Sequence, residues 1–511
     1  MKKILQMLFH RVVIGALLMI LQLVLLILML EQFQRYYICF YIVCILISVA
    51  AALYILNNRS NPAYKIAWLI PILLVPVFGG LFYLLFSGDK LSRRQKRKLS
   101  GISDEVRQIF TEKSDVLGEI EQLDPAAAGQ ARYLQNYALA PPYRNTALTY
   151  FPLGEDFFAR LLIELREAKR FIFLEYFIIE EGKMWNPVLE ILEQKVQEGV
   201  DVRLIYDDLG SIFTLPGSYH KILEQKGIKC CVFNPFVPLL SLRFSTRDHR
   251  KICVIAGHTG FTGGINLADE YINAYPKHGH WKDTAVLLKG EAVWSLTVMF
   301  LSLWDHLRKE RSELEAFRPT PLPCPEVQAE GFVQPYSDSP LDEERVGETV
   351  YLNLISKAEK YVYITTPYLI IGNEMVTALE NAAKSGVDVR IITPHIPDKW
   401  YVHAVSRAHY QPLIEAGVRI YEYTPGFIHA KGFLVDGEYA TVGSVNMDYR
   451  SLYLHFECGV WMYRTPCIAD IHRDFMETLT ASQEITLAQC RAVRWPVRLG
   501  RSILRVFGPL M

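Results

Sequence analysis

Two segments of the sequence carry the same chemically active residue types at the same spacing. One begins at His249 and the other at His429. In each segment a lysine follows the histidine by two positions, a glycine by 14 and an asparagine by 17. These residues are Lys251, Gly263 and Asn266 in the first copy, and Lys431, Gly443 and Asn446 in the second. A single His-x-Lys is common on surface strands, but three preserved spacings indicate one duplicated functional unit.

Together the two copies supply two imidazoles, two ammonium groups and two amides. Residues two apart on a strand point to one face, so each histidine and its lysine are predicted to project together from a strand. Lysines and amides suit the non-bridging oxygens of a phosphodiester. Two histidines suit covalent chemistry in which one attacks phosphorus and the other protonates the leaving oxygen. The alternative, two structural histidines left by a duplication, does not account for the shared lysine and asparagine.

The composition excludes several other classes of protein. No residues have the spacing of a zinc or iron site, and no G-x-x-x-x-G-K-[ST] loop occurs, so we predict no metal and no cofactor. Lysine plus arginine and aspartate plus glutamate both number 54, and this balance argues against a protein that coats nucleic acid. The nine cysteines lack C-x-x-C spacing, which favours free thiols in a reducing compartment.

The elements that must position the two motifs are also repeated. The pentapeptide Gly-Val-Asp-Val-Arg occurs at 199–203 and again at 386–390. His249 and His429 are 180 residues apart, which is too long a period for a solenoid. We therefore predict two copies of one α/β domain. The boundary between them is a proline-rich stretch containing Pro319, Pro321, Pro323 and Pro325.

Local signals place a strand and a helix before each pentapeptide. Apolar runs at 171–179 and 358–370 predict buried strands. Asn186 and Asn373 follow these runs and are predicted to cap the next helix of each copy.

The two motifs resemble the HKD motif of the phospholipase D superfamily, H-x-K-x(4)-D-x(6)-G-[SG]-x-N. Further segments are similar to bacterial cardiolipin synthases, and they extend the resemblance over essentially the whole chain: Asn61-Pro62, Tyr206–Ser211, Phe261–Tyr271, Trp281–Thr284, Thr366–Tyr368, Asn446–Leu452 and Phe456-Glu457. The resemblance implies an α/β fold of two tandem phospholipase D-like domains. Each would be a mixed sheet flanked by helices, the two would be related by a pseudo-twofold axis, and both would follow an N-terminal helical membrane region.

The same resemblance implies a metal-independent transfer of a phosphatidyl group. His249 would become phosphorylated, and His429 would act as general acid and then as base. The residues that would hold the phosphate are Lys251, Lys431, Asn266 and Asn446. Asp283 and Glu457, the acidic residues beyond the motifs, would orient the histidines by accepting a ring N–H.

The first motif departs from the family pattern at one position. The aspartate of the motif is Asp436 in the second copy, but Ala256 stands there in the first. In the family this aspartate braces the fold, so the first half is expected to work with weaker support. If the aspartate were catalytic instead, His249 would be impaired. His455 and Ala285 are lesser departures that are expected to alter substrate preference.

The function implied is membrane-bound synthesis of cardiolipin. One phosphatidylglycerol would donate its phosphatidyl group to a histidine and release glycerol, and a second phosphatidylglycerol would accept the group. Phosphatidylglycerol and anionic membrane lipids are the expected partners, nucleic acid is not, and the oligomeric state is left open. Two alternatives remain: a phospholipase D or phosphatidyltransferase that uses water or another alcohol, and a catalytically impaired lipid-binding protein.

Three charge-free apolar runs, at 12–30, 36–56 and 66–86, each approach the ~20 residues that span a bilayer. Pro71 and Pro76 interrupt the third run, which predicts a short hairpin or a re-entrant segment. Basic residues before the first run and at 90–98 favour the cytoplasmic side for both ends. We therefore predict a multi-pass cell-membrane protein with two crossings and a cytoplasmic catalytic body. Three crossings would place that body outside.

The predicted organisation has six parts. They are a membrane anchor at 1–88, a basic linker at 89–130, a first phospholipase D-like domain at 131–318, a proline-rich linker at 319–330, a second domain at 331–488 and a basic tail at 489–511. The tail arginines recur every three or four residues, at Arg491, Arg494, Arg498, Arg501 and Arg505. On a helix they form one stripe that suits an anionic membrane surface; a solvated helix face or a disordered tail is the alternative.

Overall fold

The computed structural model describes residues 37–58, 61–75, 78–86, 115–236, 246–319, 329–342 and 344–510, with a few isolated positions between 20 and 28 and between 107 and 110. Most of the first apolar run, the basic cluster at 90–98 and most of the proline-rich linker lie outside the described residues. The predictions made for those segments therefore stay predictions.

Three apolar helices come first: α1 (Tyr37–Asn57), α2 (Pro62–Leu74) and α3 (Gly79–Phe86). Among the described residues, α1 is the one helix long and apolar enough to cross a membrane. The third apolar run is divided between α2 and α3, so its described residues form no single spanning helix. Of the two prolines predicted to interrupt it, Pro71 lies inside α2. The described helices thus include one that could cross a membrane.

Glycines allow the three helices to pack closely. A Cβ at position 79 would lie 2.5 Å from the Ile72 backbone, and one at position 80 would lie 2.6 Å from that of Ser48. At the start of α2, Asn61 accepts a hydrogen bond from the Ala63 N–H and donates its own amide to the Tyr453 hydroxyl. The apolar helices are thereby attached to the second half of the catalytic body.

The first half of the body contains one seven-stranded sheet. Its elements, with two preceding helices, are α4 (Val116–Leu123), α5 (Pro125–Tyr137), β1 (Thr146–Phe151), α6 (Gly154–Arg166), β2 (Phe171–Tyr176), α7 (Trp185–Gln197), β3 (Asp201–Asp207), α8 (Tyr219–Gln225), β4 (Lys229–Phe233), β5 (Arg247–Asp248), β6 (Ile252–Ile255), β7 (Thr259–Gly263), β8 (His280–Lys282), β9 (Ala285–Gly290) and α9 (Val293–Arg308). The strand order is β1-β9-β7-β6-β2-β3-β4.

The second half repeats this plan. Its elements are β10 (Phe332–Asp338), α10 (Val346–Lys357), β11 (Tyr361–Thr365), β12 (Leu369–Ile370), α11 (Asn373–Lys384), β13 (Asp388–Pro394), α12 (Trp400–Ala408), α13 (Tyr410–Glu415), β14 (Arg419–Tyr423), β15 (Gly426–Ile428), β16 (Gly432–Val435), β17 (Tyr439–Gly443), β18 (Met447–Asp448), α14 (Tyr449–Tyr453), β19 (His455–Tyr463), α15 (Cys467–Thr480), β20 (Ser482–Ile485), α16 (Leu487–Arg491) and α17 (Trp495–Val506). Its main path is β10-β19-β17-β16-β11-β13-β14-β20.

The two sheets correspond strand for strand, and β20 is an addition at the edge of the second. In the first sheet β3 and β4 run parallel to β2, and in the second sheet β13 and β14 run parallel to β11. The other neighbouring strands of the two sheets, such as β2 with β6 and β11 with β16, are antiparallel. The predicted duplication and the mixed sheets flanked by helices are therefore confirmed.

A shared core lies between the two sheets. It contains α9 and α15, together with apolar residues from both sheets. Helix α9 lies between the two halves. It is mostly apolar, and ten of its residues are buried. One further core covers the outer face of the first sheet, and another covers the outer face of the second. The halves thus form one packed body.

Some local predictions differ from the structure. The helix predicted to be capped by Asn186 begins at Trp185, two residues earlier than predicted, and the N–H of its capping residue Met184 donates to the Asp269 carboxylate. Asn373 is the first residue of α11 rather than its cap. The apolar runs at 171–179 and 358–370 leave their sheets after Tyr176 and Thr365.

Helices α4 and α5 pack against the second half, although they precede the first. Buried alanines of α5 join the outer core of the second sheet. The Gln334 amide also donates to the carbonyls of Ala131 and Ala140. The predicted boundary at residue 131 falls inside α5, a single continuous helix. Among the described residues all eight cysteines are free thiols, as predicted.

Two short strand pairs join the halves at the positions of the motifs. Strand β5, immediately before His249, pairs in parallel with the start of β19. Strand β15, immediately before His429, pairs in parallel with β8. The His249 N–H donates to the Phe456 carbonyl and the His429 N–H to the Lys282 carbonyl. Each histidine is therefore held against a segment of the opposite half.

Candidate active site

The two His-x-Lys triplets lie in the extended links between two strands, and not on a strand as predicted. His249 to Lys251 connect β5 to β6, and His429 to Lys431 connect β15 to β16. The strand before each link belongs to the inter-half pairing, and the strand after it belongs to the half's own sheet. This position at the junction brings both triplets to the contact between the halves.

Each motif histidine pairs with a carboxylate from the other half. The two Glu457 oxygens both lie 3.0 Å from His249 Nδ1, and Asp283 Oδ2 lies 2.6 Å from His429 Nδ1. A carboxylate only accepts, so each Nδ1 carries the proton and each Nε2 is left with a lone pair. The resemblance predicts that Asp283 and Glu457 orient the histidines, and the structure adds that the pairing is exchanged between the halves.

Small residues hold the two carboxylates in place. The Ser444 hydroxyl donates to Glu457, and the Ser451 hydroxyl donates to the other oxygen of the same carboxylate at 2.7 Å. In the first half the residue matching Ser444 is Gly264, where a Cβ would lie only 2.1 Å from Asp283 Oδ1. The serine of the second motif thus donates to Glu457, and the glycine of the first motif leaves room for Asp283.

The two lysines are buried beside the histidines. Lys251 donates to the His249 carbonyl and Lys431 to the His429 carbonyl. Lys431 Nζ also lies 2.7 Å from His429 Nδ1 and 3.6 Å from Asp283 Oδ2. Burial lowers the pKa of Lys251 to about 8 and that of Lys431 to about 7, although the carboxylates of Glu457 and Asp283 oppose both shifts. A bound anion would stabilise the ammonium form of each lysine.

Burial also keeps both imidazoles neutral. Loss of solvation, followed by the charges of Lys251 and Lys431, lowers the pKa of His249 well below its ordinary value of 6.5. Burial and then Lys431 lower the pKa of His429 to about 4, although Asp283 opposes this shift. Lys431, a residue of the second half, lowers the pKa of His249 because the two motifs lie close together. A neutral imidazole with a free Nε2 is the form that can attack phosphorus.

Aromatic side chains form the walls around the histidines. Phe177 lies against His249 with ring centroids 5.1 Å apart. Around His429 the centroid distances are 5.4 Å to Trp281, 5.7 Å to Tyr271 and 5.8 Å to Phe427. These rings exclude water from the imidazoles and provide apolar surface next to a polar centre.

The two motif asparagines differ in their contacts. Asn266 accepts from the Ile178 N–H at 3.0 Å and donates to the Tyr271 hydroxyl at 2.6 Å, so it fixes the wall of the site. The side-chain oxygen of Asn446 is buried and has no partner among the described residues. Their predicted role as phosphate ligands stays a prediction.

Asp436 lies away from the histidines and braces a turn. It sits in the β16–β17 turn with φ of +54°, and its carboxylate accepts from the backbone N–H groups of Glu359, Lys360 and Tyr361. Ala256 occupies the matching turn with φ of +50° and has no carboxylate to do this. The geometry fits a bracing residue, and the replacement at 256 leaves the chemical groups of the first site in place.

One possible set of metal ligands is present. His249, His455 and Glu457 offer ligand atoms within 4.8 Å of one another. Sequence spacing could not indicate this set because its members come from both halves. Neither ring nitrogen of the buried His455 has a hydrogen-bond partner among the described residues, and its Nδ1 lies 3.7 Å from Glu457. A metal there would bind His249, the residue predicted to become phosphorylated, so this set fits the predicted chemistry of the site poorly.

Several residues that support the site were not recognised as such from the sequence. Asp207 accepts from the Asp248 N–H and pairs with Arg247, and so it anchors β5 in front of His249. Ser451, Phe177 and Tyr271 also lack any distinctive spacing relative to the histidines. Asp207, Tyr271 and Ser451 lie in segments that carry the family resemblance, which by itself predicts no role for them.

Comparisons with known proteins agree with this geometry. A family model described as "Cardiolipin synthase, PLD-like domain" matches residues 161–304 and 351–479, and one described as "Phospholipase_D-nuclease N-terminal" matches residues 46–88. The crystal structure of phosphatidylserine synthase from Haemophilus influenzae superposes with a TM-score of 0.58 at 14% identity. It covers 74% of this chain and 99% of that one, and it indicates a shared fold.

Sequence relatives are similar over most of the chain. A protein of uncharacterised function from Streptococcus mutans is 44% identical over 91% of this chain and all of its own length. Cardiolipin synthases from Geobacillus kaustophilus and Halalkalibacterium halodurans are each 35% identical over 89% of this chain and 90% of their own. The fold and site define a phosphatidyltransferase of the phospholipase D class. Within that class, the chain belongs to the cardiolipin synthase family.

Proposed function

We propose that the protein joins two phosphatidylglycerol molecules into cardiolipin and glycerol through a phosphohistidine. The observation that carries this proposal is the pair of histidines, each bound to a carboxylate of the opposite half, beside two buried lysines. A phosphodiester anion fits this centre because it would compensate Lys251 and Lys431.

In the first step the neutral Nε2 of His249 attacks phosphorus of one phosphatidylglycerol. The bond from phosphorus to the headgroup glycerol breaks, and His429 gives that oxygen a proton. The bound anion makes protonation of His429 less costly, since it offsets the positive charge of Lys431 that lowers the pKa of this histidine. Glycerol then leaves a phosphatidyl group on His249.

In the second step the acceptor is a headgroup hydroxyl of another phosphatidylglycerol. His429, now neutral, takes the hydroxyl proton, and the oxygen attacks phosphorus. The phosphorus–nitrogen bond breaks, cardiolipin forms and His249 is regenerated. Glu457 and Asp283 keep both rings in one tautomer throughout the cycle.

The decisive experiment is product analysis with the purified full-length protein in mixed detergent–lipid micelles. Phosphatidylglycerol labelled in its headgroup should yield one free glycerol for each cardiolipin formed. Phosphatidic acid as the main product would make the protein a phospholipase D, and a new phosphodiester with an added alcohol would make it a different transferase. No product, with lipid still bound, would favour the impaired lipid-binding protein.

We also propose that the catalytic body faces the cytoplasm and that the chain crosses the membrane twice. Free thiols in the body and the basic residues flanking the apolar runs support this orientation. A reporter cysteine placed at the exposed Arg473 should escape a membrane-impermeant thiol reagent in intact cells. Labelling without permeabilisation would place the body outside.

A further inference from the structure

A groove of about 330 Å³ lies between α12 and α17, on the surface next to the apolar helices. Trp400, Val497 and Leu504 line its apolar sides. Two arginines, Arg407 and Arg501, also line it. The groove therefore combines apolar walls with positive charge, which is the surface that an anionic amphiphile requires.

The charges of the two arginines are compensated unequally. Arg407 donates two hydrogen bonds to Glu422, at 2.8 and 2.7 Å, and His395 lies 3.0 Å from the same carboxylate. Both oxygens of the Glu422 carboxylate are therefore already paired with these residues. Among the described residues no carboxylate lies within ion-pair distance of Arg501. Burial and then repulsion from Arg407 lower the pKa of Arg501, so its cationic form lacks compensation.

The surroundings of the groove suit a lipid bilayer. Trp400 is 73% exposed and Trp495 is 74% exposed at the starts of the two helices. Tryptophan is the residue that favours the headgroup region of membranes. Helix α17 carries no acidic residue, and it exposes Leu499 and Ile503 as well as arginines. This is the composition of a helix that lies in an anionic membrane surface.

The location of the groove beside the apolar helices also suits a bilayer lipid. Ala63 of α2, Val405 of α12 and Leu504 of α17 pack in one apolar cluster. The groove is therefore continuous with the helices that precede the body. On its other side the Tyr368 hydroxyl donates to Asp398, just before α12, and Tyr368 lies near Phe427 of the catalytic wall.

We propose that this groove binds the headgroup phosphate of an anionic bilayer phospholipid at Arg501, as a site separate from the catalytic histidines. The inference rests on the proposed attachment of the body to a membrane, and it does not require turnover. Bound lipid would hold α12 and α17 against the bilayer, so that substrate in the membrane and the aromatic wall of the catalytic site lie on one side of the body.

The test is hydrogen exchange measured by mass spectrometry on the full chain in nanodiscs. Every arm carries His249→Ala so that lipid is not consumed. Exchange over 495–506 should be slower in discs of phosphatidylcholine plus phosphatidylglycerol than in phosphatidylcholine alone. A headgroup present at about ten times its Kd slows exchange through the open state by about elevenfold.

Matched variants separate this site from a general charge effect. Arg501→Gln should lose the lipid-dependent protection, whereas Arg501→Lys should retain part of it. Arg473→Gln removes the same charge from the exposed face of α15, 67% exposed, and should behave like the parent. Unchanged exchange of the buried sheet strands in each variant checks that the body is folded.

Three results would overturn the proposal. They are equal exchange in both kinds of disc, equal loss in Arg473→Gln and Arg501→Gln, and protection by soluble glycerol phosphate in phosphatidylcholine discs. The last result would assign the groove to a soluble phosphate ester. Lipid-dependent protection without cardiolipin synthesis by the unmutated chain would refute the proposed function and leave this site standing.

Discussion

His249 Nδ1 lies 3.0 Å from both carboxylate oxygens of Glu457, a residue 208 positions later in the chain and in the other half of the body. The reciprocal pair, His429 and Asp283, has the same exchanged arrangement. Each half therefore supplies the histidine of one pair and the carboxylate of the other.

Replacement of either histidine should abolish transfer. His249→Ala removes the attacking nitrogen and His429→Ala removes the proton donor, and both proteins should remain folded in detergent. Turnover of labelled phosphatidylglycerol measures the loss, with His220→Ala on the surface helix α8 as the control. Denatured wild-type protein should retain phosphatidyl label on His249. Label on His429 alone would reverse the two roles and leave the mechanism intact.

Glu457→Gln should lower kcat by roughly 10²- to 10⁴-fold, the usual contribution of a correctly protonated acid–base group. The amide can donate to Nδ1 and so stabilise the wrong tautomer. Because Glu457 acts through His249, KM should change little. Glu438→Gln, an exposed glutamate paired with Arg464, is the matched control. A rise in KM as large as the fall in kcat would show that the carboxylate has a role apart from its partner.

The affinity of the protein for phosphatidylglycerol should fall as the pH rises through about 7 to 8. Lys431 has a pKa of about 7 and Lys251 of about 8, and both bind an anion only when protonated. The measurement is lipid binding by the His249→Ala protein over a range of pH, which avoids the separate protonation of His429 that turnover requires. When the same protein also carries Lys431→Arg, the alkaline loss should move toward the pKa of Lys251. Affinity that increases up to pH 9 would contradict this assignment.

Activity should persist in EDTA, because lysines supply the charge that a metal provides in other phosphotransferases. The measurement is initial rate after extensive dialysis against chelator, compared with an untreated sample. Loss of turnover that one specific metal restores would sink the proposed mechanism. It would also direct attention to His249, His455 and Glu457, the one set of converging metal ligands among the described residues.

Ala256→Asp should stabilise the protein by about 1 kcal/mol, the typical value for a side chain that caps backbone N–H groups. The model for this effect is Asp436, which accepts three such bonds in the matching turn. The midpoint of thermal unfolding should rise by about 2–4 °C, with little change in rate. Asp436→Ala should show the opposite shift. A rate increase of tenfold or more, about 1.4 kcal/mol of barrier, would assign the aspartate a catalytic part.

Local spacing was sufficient to predict the duplication and the identity of the histidines and lysines. His249 and His429 occupy matched positions, and the pentapeptide is repeated, because the same elements fold in the same way in each half. Asp436 could be interpreted as a brace because the motif includes it. These features depend on contacts within one half, or on a comparison of the two.

The exchange of carboxylates could not be predicted, since no local pattern records which half a side chain will face. The same limit applies to the short pairing of β5 with β19 and to the packing of α5 on the second half. Residue preference alone predicts Asn186 and Asn373 as caps, whereas the helices begin after Met184, whose N–H donates to Asp269, and after Gly372. Local preference was overridden by tertiary contacts in both cases.

The inter-half pairing also affects when the enzyme becomes active during its synthesis. Glu457 is made 208 residues after His249, which takes about 10 to 40 s at 5–20 residues per second. Until then the first half of a growing chain has His249 but lacks the carboxylate that pairs with it. On the proposed mechanism, such a nascent chain cannot yet attack a phospholipid. Both histidine–carboxylate pairs form only when the second half docks on the first.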